Sequence, residues 1–202
     1  MQGITTIIFD VGGVLITPSE KVTPFILSEL FQVPLEKTLA AYKAAIPDLR
    51  VGKMGLRDVM NTLREEYGSQ RSIEELVAEY KKYYLKQALV DAEMADMARA
   101  LSSRYTLVAF TNMIDLHIDC NTERGLFAAF ADTIFSSKIG VAKPSPEAFA
   151  RLLGAVKAPA SACLFLDDKE ENISQALAQG LNAYKFTTFA ELTGYLQKEG
   201  LL

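Results

Sequence analysis

The chain has 202 residues, 50% hydrophobic and 23% charged, a composition that excludes a disordered chain and suits one domain, or one domain carrying an insertion. Its 21 Lys and Arg are outnumbered by 25 Asp and Glu, for a net charge of −4. No basic run offers the charge needed to neutralise a phosphate backbone, so a nucleic-acid partner is not expected.

The first β-branched, apolar run, Ile4–Phe9, reads as a buried strand. It follows Met1-Gln2-Gly3 directly, without a basic region or cleavage site, and every apolar run is shorter than a membrane span. Cys120 and Cys163 lack metal or redox spacing and read as buried thiols. A soluble cytoplasmic protein with no membrane partner is expected; oligomeric state is not legible.

Helical patterns come next: Glu20–Phe31, Leu35–Ala45, Leu56–Tyr67, and Ser72 to about Leu89, the last opened by a capping box of Ser72 and Glu75. Almost a hundred residues separate Phe9 from the next strand-like run at Thr106, far more than a crossover needs. The predicted organisation is therefore an α/β core of residues 1–16 and 90–202, interrupted by an all-helical segment at 17–89.

Beyond it, helix and strand alternate. Helix Asp91–Leu101 precedes strand Thr106–Phe110, and a helix near Leu116–Phe127 precedes strand Thr133–Phe135. Ser145-Pro146-Glu147 opens a helix to Leu153, before strand Cys163–Leu166. Helix Glu170–Ala178, closed by Gly180, leads to strand Ala183–Phe186. This is the pattern of a doubly wound parallel α/β sheet.

Such sheets bind ligands beyond the carboxyl ends of their strands. Asp10 ends the first predicted strand, Thr111-Asn112 the second and Asp167-Asp168 the fourth, while Lys143-Pro144 follows the third. Clustered carboxylates repel unless a cation or proton relieves them, and oxygen ligands without His or Cys suit Mg²⁺. A carboxylate beside such an ion can attack a phosphoryl group while Lys143, Thr111 and backbone N–H groups neutralise its oxygens. Each element alone has a plainer reading. Asp10 or Asp168 can cap a helix, with Glu171 placed for a capping box after Asp168, and Thr111-Asn112 is ordinary turn chemistry. The joint order at four strand ends favours an active site.

The runs Ile7-Ile8-Phe9-Asp10-Val11-Gly12-Gly13-Val14-Leu15, Phe110-Thr111-Asn112, Lys143-Pro144 and Phe165-Leu166-Asp167-Asp168, with Asn172 following, resemble in order the four motifs of the haloacid dehalogenase superfamily. They are most similar to the group containing glucose-1-phosphate phosphatase and the amino-terminal phosphatase domain of soluble epoxide hydrolase. The resemblance implies a Mg²⁺-dependent hydrolase of small phosphate monoesters, with sugar phosphates among the candidate substrates, acting through an aspartyl-phosphate. Asp10 would be nucleophile and metal ligand, and the Gly12 carbonyl and Asp168 further ligands, with Asp167 and Asn172 supporting them. Thr111 and Asn112 would hold the phosphoryl oxygens, Lys143 would pair with nucleophile and phosphate, and the helical segment would be a mobile cap.

One position departs from the family pattern. Phosphatases of the superfamily carry an Asp two residues after the nucleophile as acid and base, and here that residue is Gly12. The alternatives are a 2-haloacid dehalogenase, which lacks that Asp and needs no metal, and a phosphate-ligand-binding module without turnover. Glu20 or another residue of the helical segment is the candidate substitute acid. His117, the only histidine, reads as structural or surface, Tyr80, Tyr83 and Tyr84 as packing, and Arg50 and Lys53 as a solvated loop. Gly12-Gly13 lacks the spacing of a nucleotide fingerprint and reads as a tight turn.

Overall fold

The computed structural model describes residues 3–202, without the side chains of residues 19–21, so Glu20 as a substitute acid lies outside the described residues. Five strands form one parallel sheet: β1 (Thr6–Phe9), β2 (Thr106–Thr111), β3 (Asp132–Phe135), β4 (Cys163–Asp167) and β5 (Asn182–Lys185), in the order β3-β2-β1-β4-β5. Side chains alternate across the pleat, so β1 feeds two cores. Ile7 and Phe9 join Leu107, Ala109, Leu164 and Leu166 on one face, and Ile8 joins Val108, Phe110, Cys163 and Phe165 on the other. Helices α5 (Ala92–Leu101) and α10 (Phe189–Lys198) cover the first face, and α8 (Pro146–Ala155) and α9 (Glu170–Ala178) the second. With both faces covered, the strands are the continuous apolar runs seen in the sequence.

Five helices lie between β1 and β2: α5 and, ahead of it, α1 (Ser19–Phe31), α2 (Leu35–Arg50), α3 (Leu56–Glu66) and α4 (Ile73–Gln87). The chain leaves and returns at one place. Thr17 N donates to Leu89 O (3.0 Å), Asp91 N donates to Leu15 O (2.9 Å), and Ile16 bridges Val90. In α3, Leu56, Val59, Met60 and Leu63 are buried at helical spacing. They join Ile26, Leu27, Leu76, Tyr80 and Tyr84 in a third apolar cluster, completed by Ile114, Leu116 and Cys120 from around α6 (Asp115–Glu123). Helix α6, directly after the second motif, is thus the seat on which the helical segment rests.

Some boundaries differ from the sequence reading. Helix α2 runs past Ala45 through Pro47 to Arg50, held in place by Leu49, which is buried among the helices. Helix α6 stops at Glu123 rather than Phe127, where the chain turns through Gly125 at φ 76°. The C-terminal helix α10 was not predicted, although Thr188 Oγ1 accepts from Glu191 N (3.2 Å) as a regular N-cap. The short α7 (Ser136–Ile139) is a single turn directly after β3.

Candidate active site

The carboxyl ends of β1, β2 and β4 meet at one edge of the sheet and bring Asp10, Thr111, Asn112, Lys143, Asp167 and Asp168 together. Asp10 continues the ladder beyond β1, its N–H donating to Leu166 O (2.8 Å). Its Oδ1 accepts from Val11 N (2.7 Å) and lies 3.1 Å from Lys143 Nζ. Lys143 is buried; it also donates to Asp167 Oδ2 (2.6 Å) and to Phe110 O (2.8 Å). Burial alone would lower the ammonium's pKa, but the Asp10 and Asp167 carboxylates outweigh it and hold the pKa above its ordinary value. Burial, together with the Asp167 charge, pushes Asp10 up to about 6 against the attraction of Lys143.

The other residues divide into supports and open groups. Asp167 Oδ1 accepts from Lys169 N (2.9 Å), and both its oxygens accept from Asn172 Nδ2 (2.9 Å each), so with Lys143 its oxygens are spent on protein donors. Asn112 clasps the Lys143 backbone: Nδ2 donates to Lys143 O (2.9 Å) and Oδ1 accepts from Lys143 N (3.0 Å). That clasp engages both ends of the amide expected to hold phosphoryl oxygens. Thr111, by contrast, makes no side-chain hydrogen bond among the described residues.

Asp168 is not the N-cap that its spacing to Glu171 suggests. Lys169 occupies that position without a side-chain cap, while Asp168 Oδ1 is shut off from solvent and has no hydrogen-bond partner. Burial, then the charge of Asp167, raises its pKa. Carboxylate oxygens of Asp10, Asp167 and Asp168 lie within 4.8 Å of one another. A buried acceptor without a donor, inside an all-oxygen cluster, fits a hard divalent cation.

The turn after β1 shapes this cluster. Gly13 sits at φ 91°, and a Cβ there would lie 2.5 Å from Asp168 Oδ2, so the loop backbone packs directly against that carboxylate. Gly12 is different: a Cβ there would have nothing within 4 Å, so its missing side chain is not a steric necessity.

A narrow cavity of about 30 Å³ opens onto these groups, lined by Asp10, Gly12, Thr111, Asn112, Lys143 and Asn172 and also by Tyr84 and His117. The last two are residues that the sequence reading assigns to structure and packing rather than to this cavity. His117 is buried in the first turn of α6; its Nε2 is 2.8 Å from Tyr80 Oη and 3.3 Å from Thr23 Oγ1, and its ring stacks on Tyr84 with centroids 4.2 Å apart. A signal was available, since this turn begins four residues after the end of β2, at the ligand-binding edge. Arg50 and Lys53 do not line the cavity, and Lys53 pairs with Asp48 (3.9 Å). Both cysteines are buried free thiols.

A family model of haloacid dehalogenase-like hydrolases matches residues 4–180. No curated protein sequence matches the chain. Among solved structures, a HAD family enzyme of Bacteroides thetaiotaomicron, in complex with magnesium and inorganic phosphate, is similar at TM-score 0.77 and 21% identity, covering 94% of this chain and 99% of that one. YfnB of Bacillus subtilis, bound to magnesium and described as revealing interdomain movement, is similar at TM-score 0.68 and 23% identity, covering 97% of this chain and all of the other (100%). A 2-haloacid dehalogenase of Pseudomonas syringae is similar at TM-score 0.66 and 21% identity, covering 91% of this chain and 86% of that one.

Proposed function

The chain belongs to the haloacid dehalogenase-like hydrolase family, and we propose that within it this protein is a Mg²⁺-dependent hydrolase of small phosphate monoesters. The observation that carries the reading is Asp168 Oδ1, buried and without a donor in a cluster with Asp10 and Asp167. Asp10, Asp168 and the Gly12 carbonyl would hold the ion, with Asp167 and Asn172 fixing the surroundings. When bound, the cation offsets the clustered negative charge and polarises phosphoryl oxygens.

The chain's own residues perform the rest. Asp10 attacks phosphorus, with Val11 N and Lys143 fixing its Oδ1 so that the carboxylate is aimed before substrate arrives. Lys143 and the Thr111 hydroxyl steady the phosphoryl oxygens, and Asn112 holds the Lys143 backbone in place. Asp10→Asn should abolish turnover, by at least about 10⁴-fold, without loss of the folded state. A variant with wild-type melting and a tenth of the activity would refute the nucleophile.

We read residues 17–89 as a cap that swings on the crossing at Leu15–Thr17 and Leu89–Asp91. A cavity of about 30 Å³ holds one or two waters and leaves no room for an ester's leaving group. Structures with and without a phosphate analogue should differ by a rigid-body movement of this segment.

One observation favours the dehalogenase, the glycine at position 12. That reading leaves the orphaned Asp168 oxygen without a purpose. A panel of phosphate esters and 2-haloacids, assayed with Mg²⁺ and with EDTA, decides: phosphate release that stops in EDTA supports the phosphatase, and halide release in EDTA supports the dehalogenase. Calorimetric binding of Mg²⁺ and phosphate with no turnover of either class would indicate a binding module.

A further inference from the structure

On the phosphatase reading the reaction has two halves, and the chain has an evident group for only the first. Asp10 takes the phosphoryl group; hydrolysis of the resulting acyl-phosphate then needs a base for the attacking water, and Gly12 offers none. Among the described residues, the titratable ones in the cavity wall are Asp10, Tyr84, His117, Lys143 and Lys169. Asp10 carries the phosphate at that stage. Lys143 is a cation held between two carboxylates, and Lys169 is of the residue type that pairs with phosphate oxygens. Burial pushes the Tyr84 phenol up to about 12, so it takes no proton from water. His117 remains.

Its surroundings suit the role. Nε2 lies 2.8 Å from Tyr80 Oη, which lies 3.0 Å from Thr23 Oγ1, and both partners carry hydroxyls. With the proton on Nε2, the imidazole donates to Tyr80 and Tyr80 donates to Thr23. That leaves the lone pair on Nδ1, which has no hydrogen-bond partner among the described residues. The groups facing the ring are Tyr80 and Tyr84 from α4 and Thr23 from α1, all neutral, with Asp10 and Lys143 sharing the cavity.

We propose that His117 is the general base of the second half-reaction, its Nδ1 accepting the proton of the water that hydrolyses phosphorylated Asp10. The water oxygen bonds to phosphorus, and the phosphorus–Asp10 bond breaks with its electron pair returning to the carboxylate. The water's proton moves to Nδ1, and the imidazolium passes it to the departing phosphate or to solvent. Burial holds the His117 pKa at about 3, so the ring is neutral at rest and one ring nitrogen is free to accept a proton. A neutral ring cannot protonate the leaving group in the first half, which favours esters with stable leaving groups.

The test is rapid mixing of the full chain, with Mg²⁺ and an aryl phosphate. His117→Asn should release the first equivalent of aryl alcohol at nearly the wild-type rate, then turn over about 10²-fold more slowly while phosphate accumulates on Asp10 in acid-quenched samples. Adding Gly12→Asp, for which there is open space, should restore steady-state turnover. If His117→Asn does not fold, Tyr80→Phe, which removes the hydroxyl holding Nε2, should slow the second phase alone. Equal slowing of both phases, or steady-state turnover within threefold of wild type, overturns the assignment. Wild-type protein that releases no phosphate from any ester overturns the phosphatase reading itself, and the assignment with it.

Discussion

Two walls enclose one cavity and are built by different rules. The carboxylate wall stands on strand ends, and its charges are compensated internally, with Lys143 held 3.1 Å from Asp10 and 2.6 Å from Asp167. The aromatic wall joins α6 to α1 and α4 through uncharged groups: His117 to Tyr80 (2.8 Å), His117 to Thr23 (3.3 Å), and Asn121 Nδ2 to Tyr84 Oη (3.1 Å). Breaking a buried ion pair costs about 3–5 kcal/mol, whereas a neutral hydrogen bond contributes about 1 kcal/mol. On the proposed function, the site would open to substrate more cheaply along the aromatic wall, while the charged wall would keep the reacting groups aimed.

The sharpest way to break this comparison is Lys143→Met, which leaves Asp10 and Asp167 buried without their shared cation. In the absence of divalent ions it should cost about 3–5 kcal/mol in urea denaturation, more than removing a single hydroxyl from the aromatic wall, as in Tyr80→Phe, at about 1 kcal/mol. A midpoint near wild type would mean that the carboxylates are compensated elsewhere. Gly13→Ala comes next. It forces a side chain to φ 91° and into Asp168 Oδ2, so a loss of about 1–3 kcal/mol is expected, with weaker Mg²⁺ binding by calorimetry. Unchanged binding would show that the loop does not position Asp168.

The two walls also differ in how far they could be read in advance. Asp10, Thr111 and Asp167 are fixed by where a strand stops, which apolar runs announce, and Lys143 follows by the order of elements. The aromatic wall has no such local signature. Thr23, Tyr80 and His117 sit on three helices far apart in sequence, and each alone looks like a helix residue turned toward a core. The missed α10 is another matter, because Thr188 and Glu191 carry a regular N-terminal signal in the sequence. Asp168 also fits a capping pattern in the sequence, through its spacing to Glu171, but α9 starts one residue too late for that and leaves the carboxylate free for the metal-ligand role expected of it.

The walls also differ in the sign of their pH dependence. Burial raises Asp10 from 3.8 to about 6, so the folded protein holds that proton more tightly than the unfolded chain. The stability this brings is complete below about pH 4 and lost as pH rises through about 6. Burial lowers His117 from 6.5 to about 3, so the stability linked to the neutral ring is complete above 6.5 and lost as pH falls through about 3. Between pH 4 and 6 the two slopes oppose each other, each limited to about 1.4 kcal/mol per pH unit. In metal-free protein, Asp10→Asn should leave the His117 slope exposed, so that stability falls toward acid more steeply than in wild type. His117→Asn should do the reverse and gain stability, relative to wild type, as pH drops from 6 to 4. Urea midpoints at pH 4, 5 and 6 measure both. Parallel curves for all three proteins would show that neither residue changes its protonation between the folded and unfolded chains, and that the walls do not differ in this way.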